Sequence, residues 1–287
     1  MASPSAFELA TSRIAKPPAD HVSQVIPIFD FAGPGDAVIA GRHSFRLSLC
    51  QVGPGEGLDI APSDADQALF CLQGEAAVQQ DGGTVSAKRW DCVALASGKP
   101  TQVRNSGTAP ARLLLLAADP QAYRDTGRTP TVDGPFEGRR IARWGEVKGY
   151  DDAFATSNTP GLEKRVFKLV NRGISVGAHH LPALAFEFPF SMSIIEMEAG
   201  KGASLHAHAT EEIFVPLDGD LDLFWGDEAE SRIRLAPHEI VSMPIGLMRG
   251  FTNGNARQFH MLALVGGWNR QSVDSVTYRS PDFSTVA

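Results

Sequence analysis

Two histidines and a glutamate lie close together in the segment LHAHATEE, where one residue separates His206 from His208 and Glu212 follows His208 by four. In an extended strand, side chains two residues apart point to the same face, so both imidazoles should project into one space. Glu212 has the same parity. Two imidazoles and one carboxylate form the ligand set of non-haem iron(II), and this set also suits manganese, nickel or zinc. The spacing by itself therefore indicates either a site for a divalent transition metal or a pair of solvent-facing histidines on a loop.

Other residues with similar chemistry are weaker candidates. Glu211 has the opposite parity, so we expect it to be a solvated surface carboxylate rather than a ligand. His260, on the apolar segment FHMLALV, is a candidate substrate-binding residue if its side chain faces the same interior. His179 and His180 are adjacent in a segment rich in turn residues and are predicted to be a loop pair.

These residues can meet only in a fold that brings separate strands together. An internal sequence repeat indicates the type of fold. A shift of 145 residues places SLCQVGPGEG (48–57) on SIIEMEAGKG (193–202), and a shift of 148 places LLLLA (113–117) on MLALV (261–265). Such a register predicts two copies of one folding unit. Each copy consists of short β-type runs separated by Gly, Pro, Asn and Asp, which is typical of a sandwich or barrel. The sequence therefore predicts an all-β fold.

Composition and charge narrow the class of partner. The 287 residues are 43% hydrophobic, enough for one large core or two ordinary ones, and the formal charge is −7 without a run of Lys or Arg. We therefore expect no nucleic-acid partner and no membrane surface as partner, but a small molecule. No apolar stretch approaches the roughly 20 residues that span a bilayer, and the first residues lack a secretory signal, so a cytoplasmic location is expected. Cys50, Cys71 and Cys92 form no CxxC pair and should be buried apolar side chains.

The second copy resembles the cupin superfamily. The first motif of that superfamily is G-x5-H-x-H-x3-E-x6-G, and five residues match it at every spacing: Gly200, His206, His208, Glu212 and Gly219. The resemblance implies a double-stranded β-helix, or jelly-roll, barrel for each copy, so that the chain would be two tandem barrels, a bicupin. It implies far less about function, because that superfamily includes oxygenases, isomerases, hydrolases, lyases, seed-storage proteins and sugar-binding proteins.

The repeat and the resemblance together predict three parts. Residues 1–118 would form an N-terminal barrel with degenerate motifs, 119–185 a connection that partly adds strands to the barrels, and 186–287 a C-terminal barrel with the metal site. The N-terminal copy has no strong metal ligand at the equivalent positions, which are Ala61, Ser63, Gln67 and Thr101. We therefore expect a structural role for the N-terminal barrel: it buries apolar surface against its partner or forms an oligomer face.

The second cupin motif, P-x-G-x2-H-x3-N, is met by Pro244, Gly246 and Asn253, but its histidine position holds Arg249. A guanidinium stays protonated and cannot bind a metal. At about 4 Å from a divalent ion, its repulsion would cost about 8 kcal/mol at an effective dielectric constant of about 20. Two arrangements are left open: Arg249 turns away from the ion and clamps a substrate carboxylate, or it pairs with Glu212 in a metal-free barrel.

Two functions from different classes follow from these arrangements. In the first, a cytoplasmic bicupin binds Fe, Mn, Ni or Zn and acts on a small anionic organic substrate. The reaction would be that of a dioxygenase-like oxidoreductase or of a metal-assisted isomerase or hydrolase. Arg249 and His260 would then bind the substrate. In the second, the protein is a non-enzymatic ligand-binding or structural bicupin in which Arg249 pairs with Glu212. The sequence leaves the identity of the metal, the reaction and homo-oligomer formation open.

Overall fold

The computed structural model describes residues 14–18, 22–31, 37–39, 43–136 and 138–267, together with the backbone of 277–278. Strands dominate the described elements, and they form four sheets, two in each half of the chain. The predicted all-β class is therefore confirmed.

The first half contains ten strands among the described residues. They are β1 (Ile14–Ala15), β2 (Gln24–Phe29), β3 (Phe45–Val52), β4 (Gly57–Ile60), β5 (Gln67–Gln73), β6 (Glu75–Gln80), β7 (Gly83–Lys88), β8 (Cys92–Leu95), β9 (Thr101–Arg104) and β10 (Ala111–Ala118). After them come helix α1 (Pro120–Asp125), β11 (Ile141–Ala142), a 3-10 helix (Trp144–Glu146), β12 (Gly149–Tyr150) and β13 (Arg165–Val170).

The second half repeats the pattern of the first. Its strands are β14 (Phe190–Met197), β15 (Gly202–Ala207), β16 (Glu212–Pro216), β17 (Leu221–Trp225), β18 (Ser231–Leu235), β19 (Ile240–Met243), β20 (Arg249–Thr252), β21 (Phe259–Gly266) and β22 (Thr277–Tyr278). The bounds of β14 equal those of β3 shifted by 145, and the bounds of β21 equal those of β10 shifted by 148. The sequence repeat is thus a repeat of strands.

Each half is a jelly-roll barrel made of one large and one small sheet. In the first, β11-β8-β5-β10-β3-β2 is the large sheet and β4-β9-β6-β7 the small one. In the second, the large sheet is β1-β19-β16-β21-β14-β13-β12 and the small one is β18-β17-β20-β15-β22. Gly55 in the first barrel and Gly200 in the second occupy equivalent turns. Their φ angles are 74° and 73°, in a region that residues with a Cβ atom rarely adopt.

Segments outside the repeats extend both large sheets. Strand β11 pairs with β8 of the first barrel, whereas β13 pairs with β14 of the second and carries β12 on its outer side. Strand β1, from the N-terminal region, pairs with β19 of the second barrel. The chain between the two repeats therefore contributes to both barrels, and its later part extends the large sheet of the second barrel beside β14.

The two large sheets pack against each other. Along β3, Phe45, Leu47 and Leu49 belong to an apolar core shared by both halves, whereas Cys50 lies in the core inside the first barrel. The strand is apolar on both faces because both are covered. Across the shared core, the rings of Phe45 and Phe190 lie 5.3 Å apart between centroids. All three cysteines are free and buried, as predicted.

The shared core predicts that the barrels unfold together. Phe45→Ala should lower the free energy of unfolding by about 3–5 kcal/mol, because it removes a fully buried ring and leaves a cavity. Urea denaturation followed by tryptophan fluorescence and circular dichroism should show one transition in both proteins. The exposed control Val176→Ala should change the midpoint little. Two separate transitions, of which only one responds to Phe45→Ala, would contradict a shared core.

Candidate metal centre

The three motif residues converge inside the second barrel. His206 lies on β15, His208 follows the end of that strand, and Glu212 begins β16. One donor atom from each lies within 4.8 Å of the others, and all three side chains are buried. The register between β15 and β20 shifts between Ala203 and His206, so that His206 lies opposite Arg249. The sequence thus identified three donors that the fold brings together.

Both imidazoles are held in the neutral form that a metal requires. Burial lowers the pKa of His206 to about 4, and burial together with the Arg249 charge lowers that of His208 to about 3. Nδ1 of His206 lies 2.7 Å from the carbonyl oxygen of Ser204. Because a carbonyl only accepts, Nδ1 carries the proton and Nε2 keeps its lone pair. Nδ1 of His208 is buried without a hydrogen-bond partner among the described residues.

Arg249 forms a buried ion pair with Glu212. Its Nε and Nη2 donate to Oε2 of Glu212 at 3.1 and 2.9 Å, and Nη1 donates to the carbonyl oxygen of Leu247 at 3.0 Å. The side chain of Arg249 is fully buried. Of the two arrangements that the sequence left open, the described structure has the pair. To act as the predicted substrate clamp, Arg249 would have to break its hydrogen bonds to Glu212. The buried carboxylate of Glu212 would then have no paired charge.

The donor set fits a divalent ion, but the charge of the site does not favour one. Two neutral imidazoles and a carboxylate are suitable ligands, and both hydrogen bonds from Arg249 fall on the same oxygen, Oε2, so Oε1 receives neither. However, Arg249 already neutralises Glu212. A divalent ion would therefore leave two uncompensated positive charges in a buried site. We conclude that these residues fit a metal best when an anion binds with it.

A small cavity of about 40 Å³ borders the three donors. A water molecule needs roughly 10–15 Å³ of such space, so the cavity has room for about three. Its walls come from both the barrel and the connection: Phe154, Thr156, Lys164, Ile174, Ile195, Ala203, Ser204, His206, His208, Glu212 and Phe251. The connection thus covers the site.

Lys164 is the functional candidate that sequence reasoning missed. It lines the cavity, and its side chain is almost completely buried. The sequence signal is weak, because Phe167 and Leu169 are as apolar as Val166 at the other parity, so alternation does not identify the inward face of this strand. A charged residue on the inward face of a strand is a candidate for a site.

His260 does not line this cavity. Its ring lies between the two barrels, with the Trp90 ring centroid 4.9 Å away. Its Nδ1 lies 2.9 Å from Asp218 and its Nε2 lies 3.2 Å from Glu196. These contacts hold the ring of His260 in place without a ligand. If His260 binds a substrate, as the sequence predicts, the substrate must bind outside this cavity.

Two other expectations meet a definite structural outcome. Glu211 is buried, and its carboxylate accepts hydrogen bonds from the backbone N–H (2.7 Å) and hydroxyl of Ser44, so the prediction of a solvated surface carboxylate was wrong. His179 and His180 lie in a loop, as predicted, where both contact Asp152.

Asp152, His179 and His180 form a second group of possible metal ligands, the Asp152 cluster, but the tautomer of His180 does not suit a metal. The backbone N–H of Gly177 donates to Nδ1 of His180 at 3.2 Å, so Nδ1 is an acceptor and the proton lies on Nε2. Nε2 then donates to Asp152 at 2.9 Å. A metal at Nε2 would need the opposite tautomer, which would direct two N–H groups at each other. The cluster therefore joins the loops around residues 152 and 180.

Comparison with known structures identifies the fold. The chain superimposes on salicylate 1,2-dioxygenase from Pseudoaminobacter salicylatoxidans with a TM-score of 0.58 and 13% identity, over 85% of this chain and 74% of the other. For a putative glyoxylate-induced protein from Pseudomonas aeruginosa, the values are 0.57 and 14%, over 83% and 77%. For procruciferin, an 11S globulin from Brassica napus, they are 0.55 and 12%, over 80% of each chain.

This chain has the fold of a bicupin. The similar structures include a dioxygenase, a decarboxylase and a storage globulin, so they support the fold without selecting an activity for this chain. No protein-family model matches the sequence, and no match was found among curated proteins. Among the described residues, no helix has the length and apolar character needed to cross a membrane.

The neutral histidines predict acid sensitivity. Below pH 6.5 the unfolded chain protonates both imidazoles, whereas the native chain excludes the protons until about pH 4 at His206 and about pH 3 at His208. The unfolded state then binds more protons. The free energy of unfolding should therefore fall, as the pH falls from 6.5, by up to about 1.4 kcal/mol per pH unit for each histidine.

Urea denaturation of chelator-treated protein at several pH values between 7 and 4 measures this slope. His206→Gln with His208→Gln should flatten it, and the exposed control His179→Gln should leave it unchanged. An equal slope in the double variant and the wild type would show that the acid sensitivity arises elsewhere.

Proposed function

We propose that the second barrel of this bicupin binds a divalent transition metal through His206, His208 and Glu212 and acts on a small anionic organic molecule. The observation that supports this is the convergence of the three donors on one cavity, with both imidazoles neutral. An ion bound there supplies Lewis-acid polarisation of a carbonyl or carboxylate, and iron or manganese also supplies one-electron chemistry with dioxygen. The reaction classes are therefore a dioxygenase-like oxidation, an isomerisation or a hydrolysis.

Arg249 has a positioning role in this proposal. Its two bonds to Oε2 fix the carboxylate of Glu212, as hydrogen bonds to a ligating carboxylate commonly do in metal sites. Its charge also makes the ion depend on an anionic companion. A cavity of about 40 Å³ favours a compact carboxylate, such as a short keto acid, over an aromatic acid unless the cover moves.

A second candidate function is a metal-free bicupin that binds a small ligand or serves a structural role. The Arg249–Glu212 pair favours it, because the pair satisfies both buried charges without any ion. The two candidates differ in metal content and in the effect of removing the guanidinium.

Metal content tests the ligand set. Protein purified without chelator should contain close to one transition-metal ion per chain by elemental analysis. His206→Ala with His208→Ala should lose it, because two of the three donors are removed. His179→Ala should retain it, since that residue belongs to the Asp152 cluster. Absence of metal from the wild type, even after incubation with Mn, Fe, Ni or Zn salts, would favour the metal-free candidate.

Replacing Arg249 separates the candidates further. Arg249→His restores the histidine of the second cupin motif and removes a fixed positive charge, so metal affinity should rise by about tenfold or more. Arg249→Met should destabilise chelator-treated protein by about 3–5 kcal/mol, because Glu212 keeps a buried, unpaired charge.

Titration with Mn²⁺ and thermal denaturation measure these effects. Arg234→Met is the control, since it breaks the exposed Arg234–Asp222 pair of the same barrel and should change neither quantity much. If Arg249→His binds Mn²⁺ no more tightly than the wild type, the metal proposal fails.

A further inference from the structure

Two lysines beside the cavity are buried without a carboxylate partner. Nζ of Lys164 donates to the carbonyl oxygens of Leu162 and Gly202 at 2.8 and 3.0 Å, and Nζ of Lys168 donates to that of Ile174 at 3.2 Å. No ion pair joins either lysine to an acidic residue in the part of the chain that the structure describes. The acidic neighbour of Lys164 in sequence pairs elsewhere, with Lys201 at 2.9 Å.

Both ammonium groups lie close to the cavity wall. The ring of Phe154, which lines the cavity, has its centroid 5.4 Å from Nζ of Lys164 and 5.3 Å from Nζ of Lys168. Lys164 itself lines the cavity, and the carbonyl that accepts from Lys168 belongs to Ile174, another lining residue. The two positive charges therefore belong to one environment, which also contains the three metal-ligand candidates.

The charges around this cavity do not balance. Glu212 is the acidic residue among those that line it, and Arg249 already pairs with it. Burial lowers the pKa of Lys164 to about 8 and that of Lys168 to about 7, which means that the protein stabilises each ammonium less well than water does. A buried cation is normally compensated by a paired anion. The charge of Glu163 raises the pKa of Lys164, but no carboxylate among the described residues pairs with either ammonium, so an anion bound in the cavity would stabilise their charged forms.

We propose that Lys164 anchors the carboxylate of a small molecule bound in this cavity, with Lys168 adding positive potential. The proposal deepens the proposed function by naming the substrate class and the residue that recognises it, and it rests on that function for the reaction that follows. An ammonium has three N–H donors, and two of those on Lys164 are used by carbonyl oxygens. The third is available for a carboxylate oxygen. The bound molecule would lie between the connection, which carries Lys164, and the barrel, which carries the histidines.

Acetate and acetamide test this anchor, because they have nearly the same shape and differ in charge. Each is titrated at constant ionic strength into chelator-treated and Mn²⁺-loaded protein, and the thermal midpoint reports binding to the native state. Acetate should raise the midpoint of the wild type and acetamide should not. Lys164→Met should weaken acetate binding by about tenfold to a hundredfold, the loss expected for one charge-assisted hydrogen bond.

Two further variants show whether a loss of acetate binding results from misfolding or from a general change in the charge of the protein. Lys164→Gln keeps a donor without the charge and should also lose acetate binding, with folding checked by circular dichroism. Lys201→Met removes an equal charge from the paired surface lysine and should bind acetate like the wild type. Unchanged acetate binding in folded Lys164→Met or Lys164→Gln, or equal effects of acetate and acetamide, would overturn the proposal.

The chelator-treated sample separates this inference from the metal proposal. Acetate binding that depends on Lys164 in protein unable to hold Mn²⁺ would support the anchor while the metal proposal fails. Conversely, Mn²⁺ binding without any acetate effect in either sample would overturn the anchor and leave the metal proposal standing.

Discussion

The buried ion pair between Arg249 and Glu212 is the interaction on which the candidate metal centre depends. It joins the first residue of β16 to the first residue of β20, both fully inside the second barrel. Losing either partner would leave an uncompensated charge in a buried site. The pair therefore fixes where the carboxylate can point, and it sets the net charge that any ion or ligand in the cavity meets.

The first barrel illustrates the same scaffold without that charge. Its counterpart of Arg249 is Thr101, whose hydroxyl accepts a hydrogen bond from the amide of Gln80 at 2.9 Å. Its counterpart of Glu212 is Gln67. The carbonyl oxygen of the Gln80 side chain in turn accepts from the buried guanidinium of Arg140 at 3.0 Å, so these polar groups satisfy each other within the protein. The apolar surface of this barrel instead packs against the second barrel through the shared core around Phe45 and Phe190.

The connection between the repeats is part of the site rather than a link between two barrels. It adds β13 to the large sheet of the second barrel, and it lines the cavity beside the histidines with Phe154 and Lys164 before that strand and Ile174 after it. Its loops are held together by the contacts of Asp152 with His179 and His180. Lys164 thereby lines the cavity beside the histidines, where in our proposal it would bind a carboxylate.

The sequence by itself determined the repeat, the all-β class and the three donors, because these depend on local rules. The two-residue spacing brings His206 and His208 together, and turn glycines with a positive φ, such as Gly55 and Gly200, recur at equivalent positions of the two copies. Only the tertiary structure decided which oxygen Arg249 holds, that Glu211 is buried, that His260 lies away from the cavity and that Lys164 enters it. Those outcomes depend on which distant segments cover a given face. That choice results from long-range packing and charge compensation, which no spacing along the chain encodes.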